Sequence, residues 1–140
     1  MLRLVEIFSS FQGEGLYVGQ PTIFVRFGGC DLRCGWCDSP ETWMARPDCR
    51  IETEGGSQRF RTIENPVGVD EALAAVMALG PRPGGIVSLT GGEPLLQPDG
   101  VSALARRLRE NGLKVHLETH GLAVEALDSV VERCDVVAMG

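Results

Sequence analysis

Apolar residues along the chain follow two alternating rhythms. Thr22 to Phe27 is an unbroken β-branched and aromatic run that predicts a buried strand. Gly84 to Leu89 reads as a second short buried strand, Leu113 to Leu117 as an alternating one, and Cys134 to Met139 as the last. Leu2 to Phe8 alternates loosely and predicts a short opening strand. The intervening stretches repeat at helical spacing. Ala72, Leu73, Val76 and Leu79 share one face of a helix over 69–79, with Asp70 at its positive end and Gly80-Pro81 as the stop. Val101, Leu104, Ala105 and Leu108 recur at i, i+3, i+4 and i+7 between Asp99 and Gly112, and Val124, Leu127 and Val131 form a third face. Strands alternating with helices define an α/β protein with a mainly parallel sheet and right-handed crossovers. Residues 41–65 show no sustained period and carry Gly, Pro and charge, so they predict a long excursion able to wall a pocket.

Composition narrows the class. With 140 residues the expectation is one domain, 1–140, large enough for a real core. Its 18 Gly exceed the usual share of about 7 %. Many fall in pairs at 28–29, 55–56, 84–85 and 91–92. A net charge of −6 and a pI near 4.9 argue against nucleic acid and anionic membranes as partners. The opening residues lack a signal-peptide core, and no apolar run is long enough to span a bilayer, so a soluble cytoplasmic protein is expected. Five cysteines, three of them within eight residues, do not suit a disulfide framework.

Those three, Cys30, Cys34 and Cys37, are spaced C-x3-C-x2-C directly after the strongest predicted strand. Gly28-Gly29 lets the backbone turn there and approach a bound group. Three thiolates on one loop, with no His among them, suit a soft metal centre. A 4Fe–4S cluster takes four ligands, so three cysteines leave one iron open. The alternative is a structural zinc loop completed by Cys49 or Cys134. Cys49 otherwise reads as an incidental thiol.

The triplet, with Trp36 before its last cysteine, resembles the signature of the radical S-adenosylmethionine (SAM) enzymes. In that superfamily SAM chelates the open iron, and one electron cleaves it to methionine and a 5′-deoxyadenosyl radical. Thr90-Gly91-Gly92-Glu93-Pro94 after a strand is similar to the second widespread element of these enzymes, and Glu118-Thr119-His120-Gly121 to a third. From Glu6 to Asp38, with Gln12-Gly13-Glu14, Gly19-Gln20-Pro21 and Arg26, the chain more narrowly resembles the 7-carboxy-7-deazaguanine synthases. That resemblance implies the conversion of 6-carboxy-5,6,7,8-tetrahydropterin to 7-carboxy-7-deazaguanine with loss of ammonia, on the way to queuosine. It also implies site residues. Cys30, Cys34 and Cys37 would hold the cluster. Trp36, Cys37, Asp38, Gly92, Glu93 and Glu118 would line SAM. Gln12, Gly13, Glu14, Arg26 and Thr90 would contact the carboxylated tetrahydropterin. Ser39, where the family usually has Thr, would keep a hydroxyl for Mg²⁺. His116 reads as a residue on one sheet face and His120 as a turn residue, neither with a chemical role.

The fold implied is a partial (β/α) barrel, here covering about four of its usual six strands and shortened at the C-terminal end. A fragment, a short form, and a half-barrel that forms a homodimer through its last strand all remain open, with flavodoxin or ferredoxin as reductant. Two other readings stay open: an activating enzyme for a glycyl-radical protein, and a zinc-bound interaction module without catalysis.

Overall fold

The computed structural model describes all 140 residues. Its centre is one seven-stranded sheet in the order β4-β3-β1-β2-β5-β6-β7. The strands are β1 (Leu4–Phe11), β2 (Pro21–Phe27), β3 (Asp48–Glu52), β4 (Phe60–Glu64), β5 (Ile86–Gly91), β6 (Lys114–Thr119) and β7 (Val136–Met139). The helices are α1 (Val69–Ala78), α2 (Pro98–Glu110) and α3 (Val124–Val130). Strands β2, β5, β6 and β7 are mutually parallel and joined through helices, the half of the sheet that the sequence rhythm predicts. The other half is mixed: β1 is antiparallel to β2 and parallel to β3, and β4 is antiparallel to β3.

Two expectations are corrected. The segment 41–65 is not an irregular excursion throughout, because β3 and β4 form a hairpin on the edge beside β1. Its alternation is real but brief: Cys49 and Ile51 face the core while Asp48 and Arg50 lie outward. Glu52 secures the turn by accepting from the amide and hydroxyl of Ser9, both at 2.8 Å, and from the amide of Gln58. The last helix also presents a different face. Leu127 packs inward as expected, but Val124 and Val131 are exposed, and Ala123, Ala126 and Val130 pack inward in their place. After only seven residues the helix tightens into a 3-10 turn at Val131–Arg133, which carries Val131 off the packed stripe.

One face of the sheet is covered. Ile7, Val25, Leu89 and Leu117 join Ala72, Leu73 and Val76 of α1 and Val101, Leu104, Ala105 and Leu108 of α2 in a continuous buried cluster. A bulge in β1 between Leu4 and Glu6 shifts the register, so Leu4 and Ile7 reach that core although three residues apart. Pro98 opens α2 at a position that needs no amide donor, and Gly112, at φ 74°, follows its end. The opposite face carries a different set of side chains, and the site is built there.

Candidate active site

Three turns follow the carboxyl ends of the parallel strands β2, β5 and β6, where α/β enzymes commonly place their chemistry. The first carries the cysteines. Its glycine pair is stitched to the rest: the Gly28 amide donates to Arg3, the Gly29 amide to Thr42 and the Cys30 amide to Trp43. Residues 42–43 of the excursion thus wall the cysteine loop as expected, and Arg33 lies over the Trp43 ring at 5.1 Å. The second turn packs backbone to backbone on the first. The Gly92 amide donates to Phe27 and the Glu93 amide to Gly29. A Cβ on Gly91 would strike the Phe27 backbone, and one on Gly92 would strike the Gly29 carbonyl. With φ 130° at Gly91, no other residue fits the first of these places without strain.

Thiol chemistry separates the five cysteines. Cys30, Cys34 and Cys37 are half-exposed, and their sulfurs make no hydrogen bond within the protein. Cys49 is fully buried in β3 with its thiol on the Arg50 carbonyl, and Cys134 donates to Val130. Burial pushes the Cys49 thiol up to about 12 and the Cys134 thiol up to about 11, so both stay protonated. Neither is placed to complete a zinc site, and no three acidic, histidine or cysteine side chains converge on a single ion. Three unbonded sulfurs on one loop are donors of the right kind and number for a 4Fe–4S cluster with one open iron.

The open face of the sheet aligns the remaining candidates through strand register. Glu6 of β1 stands opposite Arg26 of β2, which stands opposite Thr90 of β5. Arg26 is a quarter or less exposed; its Nε bonds Glu6 at 3.1 Å, its Nη1 donates to Ser39 Oγ at 3.1 Å, and its guanidinium lies over Phe8. Ser39 Oγ in turn donates to Asp38 Oδ1 at 2.7 Å. Glu118 of β6 receives Thr90 Oγ1 at 2.6 Å, Ser88 Oγ at 2.7 Å and Gln12 Nε2 at 2.8 Å. Burial alone would raise the Glu118 carboxyl, but those three donors outweigh it and hold the group below its usual range. Gln12 arrives on the loop between β1 and β2, which folds across this face from the opposite end to the cysteine loop. Gly13 and Glu14 of that loop are exposed, and the Glu14 carboxylate is free of partners.

The structure thus brings Gln12, Thr90 and Glu118 together, and Arg26, Asp38 and Ser39 together. Glu93 is different. Fully buried, its carboxylate accepts from the Leu95 amide, Thr119 Oγ1 and the His120 amide, while its own amide and carbonyl pair with Gly29 and Leu96, so the residue braces the turn. Trp36 is 85 % exposed at the rim. Sequence reasoning overlooked Ser88, and it placed His116 on a sheet face, as found, without a part in the site. His116 is 2 % exposed, sits edge-on to Tyr17 at 5.6 Å, and is held neutral because burial outweighs the pull of Glu118. Its Nδ1 lies 3.2 Å from Gln12 Nε2, while its Nε2 has no partner. Polar residues at every second place of otherwise apolar strands, Ser88 and Thr90, then His116 and Glu118, were the available signal.

Residues 24–140 match the description of the radical SAM superfamily. The chain belongs to that superfamily, whose cofactors are a 4Fe–4S cluster and SAM. Among curated relatives it is similar to a 7-carboxy-7-deazaguanine synthase of Geobacter sulfurreducens, 42 % identical over 98 % of this chain and 55 % of the relative. It is also similar to the synthase of the same name from Methanopyrus kandleri, 40 % identical over 98 % of this chain and 55 % of that one. The chain therefore spans about half the length of the curated relatives it matches. A solved structure described as QueE from Escherichia coli superposes with a TM-score of 0.66 at 24 % identity, covering 97 % of this chain and 68 % of that one. That likeness establishes the fold, the partial radical SAM barrel.

Proposed function

We propose that the chain, as a single radical SAM domain, carries the cofactor and substrate machinery of a 7-carboxy-7-deazaguanine synthase acting in the cytoplasm. The reaction is the radical ring contraction of 6-carboxy-5,6,7,8-tetrahydropterin to 7-carboxy-7-deazaguanine with loss of ammonia. The observation that carries this reading is the assembly, on one sheet face, of Gln12, Arg26 and Thr90 beside the cysteine loop. Relatives bearing the synthase name match nearly the whole chain.

Cys30, Cys34 and Cys37 would ligate three irons. Trp36, Cys37, Asp38, the Gly92 and Glu93 backbone, and Glu118 would border SAM. The bound cofactors supply one-electron, hydrogen-abstracting chemistry. The chain's own residues then position and shield the substrate. Arg26 already spends Nε and Nη1 on Glu6 and Ser39, so its free Nη2 faces a substrate carboxylate as a charge-assisted donor. Thr90 gives its proton to Glu118 and so offers a ligand only lone pairs. The Glu14 carboxylate and Gly13 backbone extend that accepting edge, suited to ring N–H groups. Ser39 keeps a lone pair for Mg²⁺, a cation that takes few protein ligands and retains water or substrate oxygens. Flavodoxin or ferredoxin would serve as reductant. A homodimer is the expected assembly.

The test is anaerobic incubation of the reconstituted chain with SAM, reductant, Mg²⁺ and the carboxylated pterin. Cluster binding is expected, with deazaguanine product formed more slowly than by a full-length synthase. SAM cleavage without that product, at saturating pterin, would move the chain to another reaction within the superfamily.

A further inference from the structure

His120 joins the three functional turns. The Leu122 amide donates to its Nδ1 at 3.0 Å, so in the neutral ring the proton lies on Nε2. That Nε2–H faces two carboxylates, Asp31 Oδ1 at 2.9 Å and Glu93 Oε2 at 3.3 Å. Asp31 directly follows the first cysteine, Glu93 closes the Gly-Gly-Glu turn, and His120 belongs to the turn after β6. The contact with Asp31 bridges 89 residues of chain. The imidazole is only 9 % exposed and Glu93 is 1 % exposed, so the junction is fixed at its base while Asp31 lies at the surface. Backbone bonds already tie the root of the cysteine loop through Gly29 and Cys30. Beyond Cys30 the loop is held at Arg33, whose Nη1 donates to the Cys30 and Leu32 carbonyls and whose guanidinium lies over Trp43, and at Asp31.

We propose that His120 is a positioning residue that holds the cysteine loop in register with the turn bordering SAM. It touches none of the reacting groups and acts through Asp31. The inference rests on the cysteines being the cluster ligands but not on the identity of the substrate. One readout is therefore taken without metal. In the metal-free chain, His120→Ala is expected to speed hydrogen exchange of the Cys30 and Cys37 amides, the two in the loop that donate within the protein, about tenfold and leave β5 unchanged. A tenfold change corresponds to about 1.4 kcal/mol. In the reconstituted protein the same variant is expected to release iron to a chelator about tenfold faster and to alter the electron paramagnetic resonance signal produced on adding SAM. His120→Gln, whose amide can still donate to Asp31, should restore both to within about threefold. Asp31→Ala should match His120→Ala, and combining them should add nothing further, as expected of one shared contact. Wild-type exchange at the Cys30 and Cys37 amides in His120→Ala overturns the proposal, as do additive effects in the double variant. Failure of the wild-type chain to take up iron and sulfide refutes the cluster assignment instead, and the metal-free exchange still decides the role of His120.

Discussion

The two faces of the sheet are made from the same strands and share every backbone hydrogen bond, yet they solve opposite problems. On the covered face, Ile7, Val25, Leu89 and Leu117 meet the helices and exclude water. On the open face, the intervening residues Glu6, Arg26, Thr90 and Glu118 are polar, half-buried or buried, and paired with each other across strands. Burial of apolar area stabilises the first, at roughly 25 cal/mol per Å². Hydrogen bonding only offsets the desolvation of the second, since a buried polar pair contributes about 0.5–1.5 kcal/mol net. The lesson is a division of labour at single-residue alternation: every odd step holds the fold, and every even step is available to a ligand.

Substitutions on the two faces should therefore separate stability from binding. The largest stability effect is expected on the covered side. Leu104→Ala removes a fully buried side chain between α2 and the sheet and should cost about 2–5 kcal/mol in urea denaturation. An effect below about 1 kcal/mol there would mean the helices pack loosely and the contrast is overstated. On the open side, Thr90→Val keeps the shape but removes one donor from Glu118, and should cost about 1 kcal/mol of stability. Its main effect is expected in ligand affinity, a rise of tenfold or more in the KM for the carboxylated pterin. Equal KM values would dissociate Thr90 from the substrate.

The smallest effect is in the pH dependence of stability, where the open face contributes through His116 and Glu118. His116 has a folded pKa below its usual 6.5 because burial disfavours the imidazolium. As pH falls through 6.5 the unfolded chain takes up this proton first, so stability declines from there down to the folded pKa. Glu118, held below 4.5, adds a second loss that begins only under that value. His116→Gln should flatten the upper decline in denaturation midpoints and leave the lower one. An unchanged slope between pH 6.5 and 4.5 would remove His116 as its source.

Much of this was legible in the chain. Apolar spacing sufficed for the four parallel strands and for α1 and α2, because their buried residues repeat over two or more turns. It missed the β3–β4 hairpin, where both strands are only five residues long and β3 carries a charge at every second place, so the stretch reads as loop. It slipped the face of α3, because seven residues fit two offset stripes equally well. The cysteine loop and glycine turns were visible as motifs, since their chemistry is local. Partnerships were not. Glu6 with Arg26, Glu118 with Gln12, and His120 with Asp31 depend on strand register and on contacts across 20, 106 and 89 residues. Local pattern carries no information about such distances.

The row Glu6, Arg26, Thr90, Glu118 works as a ruler. Its graduations are set by the hydrogen-bond spacing between strands, about 4.8 Å, so substitution can alter what each mark offers but not how far apart the marks stand. The backbones that carry the guanidinium and the β6 carboxylate stand two such graduations apart, roughly 10 Å. The footing of each anchor is thus written into the backbone, and only the reach from it is left to the side chain.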